Sequence, residues 1–466
     1  MDLYLYNSLN LKKEKFIPLK KGAVGLYTCG PTVYNFAHLG NLRTYLFEDF
    51  LVRTLVYNGY KLKRVMNITD VGHLSGDMDM GEDKVEAEAT REGRSAWDIT
   101  AYYTDAFQED LKLLNVTPPD VWCRATEHIN EQIDLIKTLE NKGYTYITSD
   151  GVYFDTSKFS DYNRLSHLDL DELQEGARVE KNEEKKNLTD FALWKFSPIG
   201  SKRQMEWSSP WGIGFPGWHL ECSAMSLKYL GETFDIHCGG IDHVNIHHTN
   251  EIAQSEAATG KKFVNYWLHG AFLNIAGGKK MAKSEDNFLT LDKSLVKKGL
   301  NPLAYRFAAL QVHYRKPMEY SEDSLRQAEN ALESLINQVA ALKDEPGQID
   351  EVYQVDFQTA INDDLNMPQA LAVLFKMLKS DLSDSDKLAG VINFDQVLGL
   401  SLLSQAASKA DIEETDLPEE VKILLNKREQ ARVDKNWELA DSLRDDIKRA
   451  GYNLEDNSDG QLIKKI

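Results

Sequence analysis

Residues 22–70 set out the clearest alternation of hydrophobic and polar positions in the chain. GAVGLYTCG is a short apolar run, LRTYLFEDFLVRTLVYN repeats its apolar positions at helical spacing, and KLKRVMNITD opens as a second apolar run. The order predicts strand, helix and strand, with Gly59 at the C′ position where the helix stops. Such a unit builds a parallel sheet, and ligands gather at the carboxyl ends of its strands. The stretch 118–200 begins at Pro118-Pro119, holds a strand in GVYFDTSKF and a solvated charged loop in VEKNEEKKN (179–187), and reads as an insertion. Sheet-like segments resume with FDIHCGG and NYWLHGAFLNI. After HYRKPMEYSEDS the period becomes helical: Leu325, Leu332, Leu335, Ile336, Val339 and Leu342 share a face, and a second helix follows Asn366-Met367-Pro368. SQAASKADIEETDLP (404–418) is polar, ends in proline and suits a linker before a separate tail.

Length and charge bound the rest. A chain of 466 residues is too long for one ordinary core and suggests roughly two to four domains. A net charge of −19 argues against gripping nucleic acid by bulk electrostatics. Local grip remains open, because residues 418–466 carry ten Lys/Arg against eleven Asp/Glu. No uninterrupted apolar run of about 18 residues occurs, and MDLYLYNSLNLKKEK lacks a signal-peptide core, so a soluble, cytoplasmic chain without a membrane partner is expected. The four cysteines (29, 123, 222 and 238) include no close C-x-x-C pair, which suits reduced thiols free for ligand or catalytic use.

Three stretches carry candidate chemistry. In NIHHTNEIAQSEAATG (245–260) an amphipathic helix starting near Asn245 puts His247 and Glu251 on one face, four residues apart, where both reach a single ion. In CGPTVYNFAHLGNLRTY (29–45), His38, Gly40 and Asn41 mark the turn into the first helix, where backbone N–H groups favour phosphate. An ordinary strand-to-helix turn with a capping Asn fits that stretch equally well. In GGKKMAKSEDN (277–287), Lys280, Lys283 and Ser284 offer cations and a hydroxyl to a triphosphate, or form an exposed lysine loop. In the tail, Lys427, Arg428, Arg432 and Lys435 lie near Trp437, a stacking surface for an unpaired base or one side of a solvated helical hairpin.

HLGN and KMAKS together resemble the paired signatures of class I aminoacyl-tRNA synthetases, and more narrowly the chain resembles the cysteinyl-tRNA synthetase family. The likeness rests also on NITD, FALWKFSP, GFPGWHLECSAMS, FDIHCGG, HHTNEIAQSEAATG, NYWLHG and LLNKREQARVDKNWELADSLRDDIKRAGYNLED, which span nearly the whole chain. It implies an α/β fold: a Rossmann-type parallel-sheet catalytic domain with an insertion, an all-α bundle, and a small C-terminal helical anticodon-binding module. The expected bounds are 1–117 and 201–270 for the two catalytic halves, 118–200 for the insertion, 271–320 for the region around KMAKS, 321–403 for the bundle and 418–466 for the module.

The resemblance further implies one zinc held by Cys29, Cys222, His247 and Glu251, with Cys238, His243 and His248 as the next candidates. Taken alone, Cys29 and Cys222 read as buried structural cysteines. It implies that the substrate's sulfur joins the zinc, and that Cys29, Thr69, Trp218 and His237 line the cysteine pocket. Zinc prefers a thiolate to a serine hydroxyl, so selectivity needs no editing domain. ATP, with Mg²⁺, is expected against Gly30, Thr32, His38, Gly40, Asn41 and Lys283, and catalysis from His38, Asn41, Lys280, Lys283 and Ser284 through positioning and charge stabilisation. The implied partners are L-cysteine, ATP and the cysteine transfer RNA, and the implied assembly is a monomer. The sequence departs from the family pattern at Asn41, Ala282 and Asp286, and DGQLIKKI lacks an aromatic. A relative joining cysteine to a small amine, or a non-catalytic zinc-bearing RNA-binding protein, would share part of this pattern. The nearly complete tail argues against the first; both lysines of KMAKS and His38 argue against the second.

Overall fold

The computed structural model describes residues 1–72, 83–167, 183–198, 200, 203–275, 288–342, 345–408, 417–457 and 460–465. β1 (Tyr4–Asn7) and β2 (Lys12–Lys15) pair as an antiparallel ribbon. β3 (Ala23–Thr28), α1 (Leu39–Tyr57) and β4 (Lys61–Ile68) form the expected unit, with β3 and β4 parallel. α1 stops at Asn58 and Gly59, whose φ of +81° disfavours any residue with a Cβ. α2 (Lys84–Glu92) and α3 (Ala96–Leu113) lead to β5 (Val121–Arg124), and β11 (Phe234–Gly240) and β12 (Val264–Gly270) complete the sheet. Its order is β12-β11-β3-β4-β5, parallel throughout. Both faces are covered, so β11 is buried at every position, including Asp235 and His237. Alternation along the strands sends Leu26, Ile236 and Cys238 into the core shared with α1 and the helical half, and Tyr27 into the opposite core, which also holds Cys29 and Cys222.

The inserted sheet holds β6 (Thr145–Ile147), β7 (Gly151–Phe154), β8 (Phe191–Phe196), β9 (Trp207–Ser209) and β10 (Gly212–Pro216). It is antiparallel, in the order β6-β7-β8-β10-β9. Its edges differ from 118–200: β5 belongs to the parallel sheet, and β10 runs to Pro216. Residues 207–217 hide strand character behind their glycines and prolines, which carry little propensity for a sheet. α4 (Ile129–Asn141) packs Ile133, Ile136 and Leu139 into a core with Phe154, Phe191 and Trp194 of this sheet, closed by Leu220, Ala224, Ala253 and Ala257 from two helices described below.

In the helical half, Leu325, Leu332, Leu335, Ile336 and Val339 are the buried face of the Glu322–Ala340 helix, and Asn366 caps the Met367–Leu378 helix. Between them lies a helix the pattern did not announce, Glu351–Asn362, which buries only Phe357, Ala360, Ile361 and Asn362. The tail folds as helices Glu419–Val433 and Trp437–Arg449 and then adds an antiparallel hairpin, β15 (Tyr452–Asn457) with β16 (Gly460–Lys465), to an otherwise helical module. Between the parallel sheet and the helical half, β13 (Leu273–Ile275) and β14 (Met318–Tyr320) pair in parallel. Among the described residues no helix is long and apolar enough to cross a membrane.

α1 is locked to the helical half by one buried guanidinium. Arg306 donates from Nε to Leu398 O (2.6 Å), from one Nη to Leu114 O and Asn115 O (both 3.1 Å), and from the other to Asp49 Oδ2 (2.6 Å). Burial alone would raise the Asp49 carboxyl, but Arg306, Arg53 and the Thr117 N–H outweigh it and hold the group at about 2. Arg306→Leu removes one of the two guanidiniums facing Asp49 and strands Leu398 O and Leu114 O, while Asn115 O keeps its bond from Arg53. The expected cost is about 3–5 kcal/mol, read as a lowered urea midpoint; an unchanged midpoint would refute the lock.

Candidate active site

Three distant stretches converge at the carboxyl end of β3. Cys29 follows that strand, and its N–H donates to Cys238 O (3.1 Å). Cys222 sits in the Trp218–Leu230 helix, and His247 and Glu251 in the first turns of the His247–Thr259 helix. The latter helix is buried on nearly all sides, not amphipathic, because it lies between the parallel sheet and the inserted one. Ligand atoms of Cys29, Cys222, His247 and Glu251 lie within 4.8 Å of one another, all buried. A second buried set, Cys29, His237, His248 and Glu251, meets the same limit and shares two members with the first. Cys238 belongs to neither set, because strand alternation turns it into the opposite core.

A ring of imidazoles surrounds these donors. His247 Nε2 is 3.2 Å from Glu251 Oε1, and its Nδ1 is 3.0 Å from Nδ1 of His219, one turn before Cys222. His237 Nε2 meets Glu251 Oε2 at 3.1 Å, and its ring stacks on Trp267 at 4.6 Å. His248 links Cys29 Sγ (3.3 Å) to His269 (2.8 Å), which reaches Ser8 (2.8 Å). His243 stands beside His247 and His248, with ring centroids at 5.1 Å from each. Half-buried Trp218 places its ring 4.6 Å from that of His247.

The electrostatics favour a cation in this chamber. Burial, then the neighbouring Cys222 thiol and Glu251, pushes the Cys29 thiol well up. For Cys222 the hydrogen bond with Cys29 pulls down, yet burial and Glu251 leave the thiol raised. Burial also raises Glu251, against the pull of His237. Glu251 Oε1 finds no hydrogen-bond partner among the described residues. Two thiols, an imidazole and a carboxyl oxygen without a donor form a set that zinc satisfies, since a divalent charge offsets the burial of anions.

The other expected contacts sit around this chamber with different commitments. The Thr69 hydroxyl donates to Glu221 Oε2 (2.9 Å) and accepts from Asn67 Nδ2 (3.1 Å), so its proton is already used. Gly30 donates its N–H to Asn67 Oδ1 (2.8 Å), and a Cβ there would lie 1.8 Å from Asn67 O, which no side chain tolerates. Thr32 bridges to Thr69. His38 caps α1: its Nδ1 accepts from Asn41 N (3.1 Å), while Asn41 Oδ1 accepts from His38 N (3.3 Å). Gly40 is the next-but-one residue after the cap, inside the first turn. Burial lowers the His38 pKa, and a neutral ring accepting at Nδ1 carries its proton on Nε2, which leaves one outward donor. Asn41 is exposed, with its amide nitrogen not used in the cap. Lys280, Lys283 and Ser284, with Ala282 and Asp286, lie outside the described residues. Their C-terminal flank nevertheless docks on the same spot: Phe288 is edge-on to His38 at 5.8 Å, and His38 bridges to Thr290.

Sequence spacing did not find His219, His269, Ser8, Asn67 and Glu221, although His219 stands one helical turn from Cys222 and so shares its face. In the tail, Lys427 and Lys435 are exposed and Trp437 is 60% exposed, but Arg428 is buried and Arg432 half-buried. The basic face is therefore smaller than the sequence suggested.

A parallel sheet interrupted by an inserted sheet, followed by helices, is the fold of class I aminoacyl-tRNA synthetases. The methionyl-tRNA synthetase of Mycobacterium tuberculosis, solved with methionyl-adenylate, matches with a TM-score of 0.54 and 15% identity over 83% of this chain and 90% of that one. The family model described as the class I (C) tRNA synthetase catalytic domain matches residues 15–330, a DALR domain matches 356–380, and a cysteinyl-tRNA ligase anticodon binding domain matches 414–463. "Cysteine–tRNA ligase 1" of Burkholderia lata is 49% identical over 463 residues, covering 99% of this chain and 97% of the relative. "Cysteine–tRNA ligase" of Treponema denticola is 44% identical over the full length of both. The chain belongs to the cysteine–tRNA ligase family and is an enzyme of that activity.

Proposed function

We propose that the chain joins L-cysteine to its transfer RNA through a cysteinyl adenylate, with zinc at Cys29, Cys222, His247 and Glu251 recognising the thiol. The observation that carries this reading is the buried convergence of those four ligand atoms beside the His38 cap, at the same end of β3. The first tetrad is preferred because it supplies two soft thiolates, while His237 serves as an outer partner orienting Glu251. Zinc, when bound, supplies a soft Lewis-acidic centre that takes a thiolate in preference to a serine hydroxyl.

The chain's own residues then divide the work. His219 orients His247 through its ring nitrogen, and His237 orients Glu251. Trp218 closes the pocket side and excludes water, and Thr69 and His237 border it. In the first step the cysteine carboxylate attacks the α-phosphorus of ATP, and pyrophosphate leaves with the electron pair of the broken P–O bond. His38 Nε2–H, the Asn41 amide, Lys280 and Lys283 hold the phosphates and stabilise their charge, with Mg²⁺ accompanying the nucleotide. In the second step the 2′-hydroxyl of the terminal adenosine takes the cysteinyl group and AMP leaves. Lys427, Lys435 and Trp437 offer the tail's exposed cations and stacking face to the anticodon.

The test is cysteine-dependent exchange of pyrophosphate into ATP, followed by charging of the cysteine transfer RNA. Exchange and charging are both expected with cysteine, and serine is expected to support neither. Exchange without charging would favour a small-amine acceptor, and absence of exchange would sink the adenylate step.

A further inference from the structure

Arg43 is 4% exposed, and among the described residues its acceptors are carbonyl oxygens only. One Nη donates to Ala271 O (2.8 Å) and Phe272 O, and the other donates to Lys316 O. Those carbonyls sit where β12 turns into β13 and where the chain enters β14. The same junction is held by Ala271 N to Tyr314 O (2.8 Å) and Met318 N to Phe272 O (3.0 Å). One turn earlier in α1, Leu39 N donates to Leu289 O (2.8 Å), and the Tyr305 hydroxyl donates to Leu39 O (2.6 Å). The first two turns of α1 thus hold backbone before residue 276 and after residue 287, and they carry the His38 cap at their head. Burying a guanidinium against neutral dipoles is costly, and packing alone would be met by an apolar side chain. A planar fork reaching three fixed carbonyls instead sets a distance and an angle.

We propose that Arg43 is a positioning residue for the ATP side of the reaction, fixing the α1 terminus that bears His38 relative to the backbone leading into residues 276–287. The inference rests on the assignment of His38 and Lys283 to the nucleotide phosphates. The four proposed zinc ligands lie on β3's end and two helices, away from the carbonyls that Arg43 holds, so the two halves of the site are expected to respond differently to its loss.

The test uses zinc-loaded, full-length Arg43→Met and Arg43→Lys beside the parent, Lys283→Ala and Arg43→Met/Lys283→Ala. Zinc content, the dissociation constant for cysteine by calorimetry, and the KM and kcat for ATP in pyrophosphate exchange are measured. For Arg43→Met, kcat/KM for ATP is expected to fall about 10- to 100-fold, the scale of a displacement near 1 Å, while zinc content and cysteine affinity stay within about twofold. Arg43→Lys is expected between Arg43→Met and the parent. The double variant is expected to lose little beyond Lys283→Ala, because both act on one step. Full additivity in the double variant, unchanged ATP kinetics, or parallel losses in cysteine binding and zinc content would overturn the proposal. Lys283→Ala exchanging at the parent rate would instead overturn the lysine assignment itself, a result legible without Arg43.

Discussion

Lys283→Ala is expected to leave zinc content and cysteine affinity unchanged while slowing pyrophosphate exchange about 10²- to 10³-fold, the usual loss when one preorganised donor to a developing negative charge is removed. The separation follows from placement. The proposed metal donors lie in a buried chamber formed by β3, β11 and two helices. Phe288, by contrast, packs edge-on to His38, the residue proposed to face the phosphates. Stopped single-turnover measurement of adenylate formation distinguishes a slowed chemical step from weakened ATP binding. Exchange within about threefold of the parent would remove Lys283 from its role.

Cys222→Ser is expected to have the second large effect. Losses confined to outer-shell partners cost roughly 10–100-fold in metal affinity, so replacing a coordinating thiolate is expected to cost more than about 100-fold. Cysteine affinity should fall with it, because the metal is the group proposed to distinguish sulfur from oxygen. Metal analysis after dialysis against a chelator reads the first effect and calorimetry the second. Cys238→Ser is the control, since Cys238 lies on the other side of the same sheet. Retention of a full equivalent of zinc by Cys222→Ser would refute the ligand assignment.

Periodicity made the βαβ unit and the buried face of the Glu322–Ala340 helix legible, because both repeat at fixed spacing along continuous elements. The His247 and Glu251 pair was legible for the same reason, being four residues apart on a helix. Cys29 and Cys222 were not, since 193 residues separate them and only the fold joins them; resemblance to a family supplied that pairing. The outer imidazoles escaped because a lone histidine in an apolar strand, such as His269, has no spacing partner. The C-terminal hairpin was missed although Asp459-Gly460 is a turn signal, because the flanking residues are mostly polar and, among the described residues, Tyr452, Leu454 and Ile463 mark its inner side. Arg428 misled because charge suggests exposure, yet its position on the helix turns it inward.

The inserted sheet shares its apolar core with the helices that carry Cys222 and with Ala253 and Ala257, just beyond Glu251. It is therefore the back wall of the chamber that holds the proposed ligands and not an appendage. Cutting it away would leave both of these helices with bare flanks, so a minimal catalytic unit of this enzyme is expected to need α4, β7 and β8 even though none of their residues is a proposed ligand.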